Sequence, residues 1–69
     1  MIGMISLGGD IRKFLIKYED EHKMGPTIEE IYAEFSQYEK RTIDDALDPM
    51  ESIKLVIVEG NRLRYKRQM

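Results

Sequence analysis

The sequence predicts an α+β fold of three helices followed by a two-stranded antiparallel β-hairpin, in a single domain spanning residues 1–69. Three observations predict it. Apolar residues recur at three- and four-residue spacing in three successive stretches, the mark of half-buried helices. The second stretch opens on T-I-E-E, in which Glu30 stands three residues after Thr27 as a capping box requires. The last quarter, L-V-I-V-E-G-N-R-L-R-Y-K-R, sets two β-rich runs around Gly60-Asn61, a pair able to take the positive φ angles of a tight primed turn.

Residues 1–9 form an apolar lead-in punctuated by Gly3, Gly8 and Gly9. It is either a flexible segment or a short strand, with Met1, Ile2, Met4 and Ile5 covering the domain's own core or joining a dimer contact. The first helix is expected over 10–23, with Asp10 as N-cap and Ile11, Phe14, Leu15, Tyr18 and His22 along one face. Met24-Gly25-Pro26 ends it, glycine suiting a C-terminal cap and proline being unable to continue a helix. The second helix is expected over 27–35, with Ile28, Ile31, Tyr32 and Phe35 inward, before a tight turn at Ser36-Gln37-Tyr38. The third spans 39–53 and buries Ile43, Leu47 and Met50, with Ala46 beside them. Pro49 interrupts it. Because Asp48-Pro49-Met50-Glu51 also reads as a fresh N-cap with proline at the first helical position, a kink or break is expected at Asp48-Pro49.

The hairpin strands are expected at 55–59 and 62–67, and a two-residue loop fixes their register. Glu59 faces Arg62, Val58 faces Leu63, Ile57 faces Arg64 and Val56 faces Tyr65, and opposed residues share a face. One face is therefore Val56, Val58, Leu63 and Tyr65. The other carries Ile57, Glu59, Arg62 and Arg64.

A chain of 69 residues buries little surface, so its stability is expected to be marginal unless a partner subunit adds to it. The absence of cysteine excludes disulfides and thiolate metal sites and fits an intracellular, cytoplasmic protein. No apolar run approaches the ~20 residues of a membrane helix. The N-terminal stretch lacks the cationic start and long apolar centre of a secretory signal, so it is expected to remain in the mature protein. Charge is asymmetric: residues 1–59 hold seven Lys or Arg against thirteen Asp or Glu, whereas residues 60–69 hold four cations and no acid. An acidic body with a basic tip argues against general coating of nucleic acid and permits a focused phosphate contact.

The segments T-I-E-E-I-Y-A-E-F, S-Q-Y, K-R-T-I-D-D-A-L and E-S-I-K-L-V-I-V-E-G-N-R-L-R-Y together span most of residues 10–67. In their order of helix, extended link, helix, turn, helix and hairpin, they resemble the winged helix-turn-helix family of small prokaryotic and viral DNA-binding transcription regulators. The resemblance implies a third helix in the major groove and a hairpin wing on the adjacent backbone or minor groove. It puts Gln37, Tyr38, Lys40, Arg41 and Thr42 at the groove, with Lys40 or Arg41 suited to guanine O6 and N7 and Gln37 to adenine. Asn61, Arg62, Arg64, Lys66 and Arg67 become the wing contacts. The chain departs from the family in three places. Its turn is about one residue longer, which puts Tyr38 where an aliphatic residue usually packs. Lys54 stands where glycine usually ends the third helix, at a cost of about 1 kcal/mol if φ is positive there. Asp44, Asp45 and Asp48 lie on the face that would look into the groove.

Those three aspartates are the candidate for paired-carboxylate chemistry, and with a single histidine, no cysteine and no glycine-rich phosphate loop they give no catalytic or metal-site pattern. No enzyme activity, cofactor or small-molecule substrate is expected. Two functions remain: a homodimeric regulator that binds double-stranded DNA, favoured by the wing cations, or a winged-helix protein-protein interaction module of a larger assembly, favoured by the acidic body.

Overall fold

The computed structural model describes residues 6–66, and within them the elements follow in the expected order. These are α1 (Ser6–His22), α2 (Ile28–Glu34), α3 (Lys40–Ser52), β1 (Val56–Glu59) and β2 (Arg62–Tyr65). The expected roles of Met1, Ile2, Met4 and Ile5 concern residues outside this range.

The first helix starts four residues earlier than the sequence suggests, and Asp10 lies inside it rather than capping it. The reason is Leu7. Spaced four and eight residues from Ile11 and Leu15, it completes a stripe that is almost wholly buried. Burial of that stripe outweighs the roughly 1 kcal/mol that each of Gly8 and Gly9 costs in a helix interior.

The end of α1 also differs in mechanism from the expectation. Lys23, not glycine, takes the left-handed conformation (φ 62°), and its N–H donates to the Glu19 carbonyl at 2.7 Å. Gly25 is needed for a different reason. A Cβ at position 25 would overlap the Leu63 carbonyl, so only glycine lets the link after α1 lie against β2. That link is a rudimentary third strand. Leu63 N–H donates to the Pro26 carbonyl at 2.8 Å, Ile28 N–H to the Asn61 carbonyl at 3.3 Å, and Thr27 bridges Arg62 in antiparallel sense.

The capping box at α2 forms as the sequence requires. Glu30 N–H donates to the Thr27 hydroxyl at 3.1 Å, and Thr27 N–H donates to the Glu30 carboxylate at 2.7 Å. The other Glu30 oxygen accepts from the Tyr18 hydroxyl at 3.0 Å, tying α1 to the start of α2. The Thr27 amide, followed by the Tyr18 hydroxyl, holds the Glu30 carboxyl below its ordinary value.

The break expected at Asp48-Pro49 does not occur: α3 is continuous through Pro49. Pro49 has no N–H to offer the Asp45 carbonyl, and because both residues are exposed that carbonyl can turn outward to water. Downstream the chain closes a Schellman motif. Lys54 N–H donates to the Glu51 carbonyl at 3.1 Å and Leu55 N–H to the Met50 carbonyl at 2.8 Å. Lys54 itself has φ 68°, the left-handed geometry that the family resemblance suggested.

All four cross-strand pairs of the hairpin are as expected. Only Gly60 has positive φ (66°), so the turn has the pattern of type II′ rather than type I′. Val56, Leu63 and Tyr65 meet the core, whereas Val58, on the same face, is 52% exposed although its partner Leu63 is buried, for β1 is the outer strand and β2 lies between it and the link after α1. The core is completed by Leu7, Ile11, Leu15, Ile31, Phe35, Ile43 and Leu47, and Phe14 stands edge-on to Phe35 at 5.8 Å.

Candidate nucleic-acid interface

The α2–turn–α3 unit positions the candidate groove residues. Tyr38 N–H donates to the Phe35 carbonyl at 2.9 Å, closing the turn through Ser36 and Gln37. Gln37 is exposed. Tyr38 is half-buried against the core, in keeping with a residue that fills an aliphatic packing site rather than one held out to a base.

Glu39 has extended backbone at the N-cap of α3 but makes no side-chain cap. Lys40, Arg41 and Thr42, the first three helical residues, are all exposed, and no acid lies in the first turn. The first N–H groups of a helix have no partner within it and carry partial positive charge, so this end presents amides and two cations together. The start of α2 is the opposite case. Its amides are engaged by the Thr27 box, and Glu29 and Glu30 fill its first turn with negative charge.

One turn into α3, Asp44 is not a bare carboxylate. The Tyr32 hydroxyl of α2 donates to Asp44 Oδ1 at 2.8 Å, and Lys40 Nζ lies 5.3 Å from the centre of the same ring. The bond to Asp44 raises the Tyr32 phenol above its ordinary pKa. Asp45 and Asp48 are exposed. No group of acidic or histidine side chains suited to a metal ion occurs among the described residues.

The wing cations are placed differently. Arg62 is half-buried, and its Nη1 donates to the Gly25 carbonyl at 2.8 Å. Arg64 reaches diagonally across the hairpin to Glu59, with Nη2 and Oε2 2.9 Å apart. That contact holds the Glu59 carboxyl below its ordinary value and the Arg64 guanidinium above its own. Asn61 and Lys66 are exposed, and Arg67 lies outside the described residues. The structure therefore brings Gln37, Lys40, Arg41 and Thr42 together at one exposed helix tip, while the two described wing arginines face protein partners.

Tyr32 and its link to Asp44 were not legible as functional features. The two residues are twelve apart on different helices, and each carries a sufficient local explanation, a core stripe for Tyr32 and a solvated face for Asp44. No helix among the described residues is long and apolar enough to cross a membrane. No protein-family model, curated protein or solved structure matches the chain.

Proposed function

We propose that this protein is a cytoplasmic transcription regulator that binds double-stranded DNA as a homodimer, through the N-terminal turn of α3 with the hairpin as a subsidiary wing. The observation that carries this reading is the start of α3, which has no side-chain cap from Glu39 and no acid in its first turn, so that Lys40, Arg41 and Thr42 are exposed beside the tight turn that holds Gln37. Helix-terminal amides and cations favour phosphate, and a guanidinium reads guanine through two parallel hydrogen bonds. Asn61 and Lys66 supply the wing's exposed polar groups.

Fluorescence anisotropy of labelled duplexes, titrated against salt, tests the reading. Log affinity is expected to fall linearly with log salt, by about 0.9 for each phosphate neutralised. Arg41→Ala should blur sequence preference, costing about 1–3 kcal/mol of discrimination at one base pair. Sedimentation equilibrium at DNA-saturating concentrations is expected to give the mass of two chains, and a single-chain mass removes the homodimer.

A second reading has its own support. Arg62 and Arg64 engage the protein itself, and Asp45 and Asp48 leave the middle of α3 acidic and exposed, a surface suited to a basic protein partner. Absence of duplex binding at low salt would reject the DNA reading in favour of this one.

A further inference from the structure

Lys40 and Asp44 are four residues apart on α3, the spacing at which a helix normally brings two side chains together and lets opposite charges pair. Here they do not pair. The Asp44 carboxylate instead accepts the Tyr32 hydroxyl at 2.8 Å, and the Lys40 ammonium rests 5.3 Å from the centre of the Tyr32 ring. One tyrosine on the neighbouring helix thus occupies both members of an ion pair that α3 alone would form.

We infer that Tyr32 is a positioning residue that withholds Asp44 from Lys40 and so keeps the Lys40 ammonium available to a phosphate at the tip of α3. The inference rests on the DNA-binding reading for its ligand, though not for its geometry. A carboxylate one turn along the helix would neutralise Lys40 and compete with any phosphate for it. The ring face is a weaker competitor, because it attracts the ammonium through a quadrupole rather than a full charge. The hydroxyl fixes the carboxylate at the same time. Tyr32 is itself anchored, half-buried against the core, so its phenol stands in a defined place between the two helices.

The decisive variant is Tyr32→Phe, which retains the ring and removes only the hydroxyl. In a crystal structure of the free variant, the Asp44 carboxylate is expected within about 4 Å of Lys40 Nζ, the ordinary ion-pair distance. Asp44 and Lys40 remaining apart would overturn the inference whether or not the protein binds DNA. In the anisotropy titration, Tyr32→Phe is expected to lower the salt slope by about 0.9, the loss of one phosphate contact. Asp44→Asn introduced into that variant should restore the slope, since no carboxylate is left to capture Lys40. A purely structural role for the hydroxyl predicts no such rescue, and an unrescued or unchanged slope sinks the proposal. Failure of the wild-type protein to bind any duplex is a separate result, which rejects the DNA reading and leaves the crystal structure of Tyr32→Phe to decide the geometry.

Discussion

The hairpin and the first turn of α3 both looked basic in the sequence, but the structure uses their cations in different ways. In the hairpin, Arg62 holds the Gly25 carbonyl and Arg64 holds Glu59, so the guanidinium groups attach the hairpin to the body and brace its strands. At the start of α3, Lys40 and Arg41 are exposed, and the nearest carboxylate along the helix face, Asp44, is held by Tyr32. A count of charges locates cations. It does not locate available ones, because a guanidinium carries five donors and will satisfy a nearby carbonyl or carboxylate before any ligand arrives.

The largest effect is expected where the hairpin meets the body. Gly25→Ala would drive a Cβ into the Leu63 carbonyl, and backbone cannot yield as a flexible side chain can. A loss of about 3 kcal/mol is expected, at the upper end of ordinary overpacking, measured by urea or thermal denaturation. Wild-type stability in this variant would mean that the link after α1 does not lie against β2, and the division between an anchored hairpin and an exposed helix tip would fail with it.

Arg62→Ala and Arg41→Ala separate the two regions directly. Removing Arg62 deprives the half-buried Gly25 contact of its donor and should cost about 1–2 kcal/mol of stability. Arg41→Ala should change stability by no more than about 0.5 kcal/mol, as for a surface residue without a structural partner. The two columns of data are expected to cross over, with Arg62 dominating unfolding and Arg41 dominating DNA discrimination. Equal stability losses would erase the distinction.

Why one region was legible and the other was not follows from the range of the interactions. The capping box spans three residues, and the hairpin register follows from a two-residue loop and a period of two, so both were readable from adjacent sequence. The left-handed Lys54 was suggested only by the family resemblance, in which glycine usually ends the third helix. By contrast, Gly25 contacts Leu63 and Arg62 from across the whole domain, and nothing near either position in the sequence announces it. The start of α1 was misplaced because Gly8-Gly9 is a strong local breaker, and only the packing of Leu7 on the far side of the pair overrides it. The continuous passage through Pro49 was missed for a related reason. The restart at Asp48 is a reading of adjacent residues, whereas the apolar stripe of Ile43, Leu47 and Met50 runs against the core across that point.

Lys54 sits at the joint between the two regions, and its substitution sharpens the contrast with a smaller expected effect. Lys54→Gly relieves a left-handed lysine and should stabilise the fold by about 1 kcal/mol, read as a rise in denaturation midpoint. Because Lys54 is at the far end of α3 from the proposed contact, DNA affinity and salt slope should be unchanged although a positive charge has been removed. A weakened slope would show that the base of the hairpin also meets phosphate.

The smallest effect concerns Glu59, and it carries opposite signs for folding and for binding. Arg64 holds the folded-state pKa of Glu59 below its unfolded value, so the pair contributes stability at pH values above the ordinary glutamate range. That contribution is lost as pH falls through the depressed folded value, and the same sign applies to Glu30. The Glu59 pair is exposed, so solvent screening keeps its share small. Protonating Glu59, or replacing it by Gln, removes the charge that engages Arg64 and returns that guanidinium to solvent. If the hairpin lies beside a DNA backbone, Glu59→Gln should steepen the salt slope by about 0.9 while slightly lowering stability. An unchanged slope would mean that Arg64 has no phosphate within reach even when released. The wing would then be a structural brace alone, and recognition would belong to the first turn of α3.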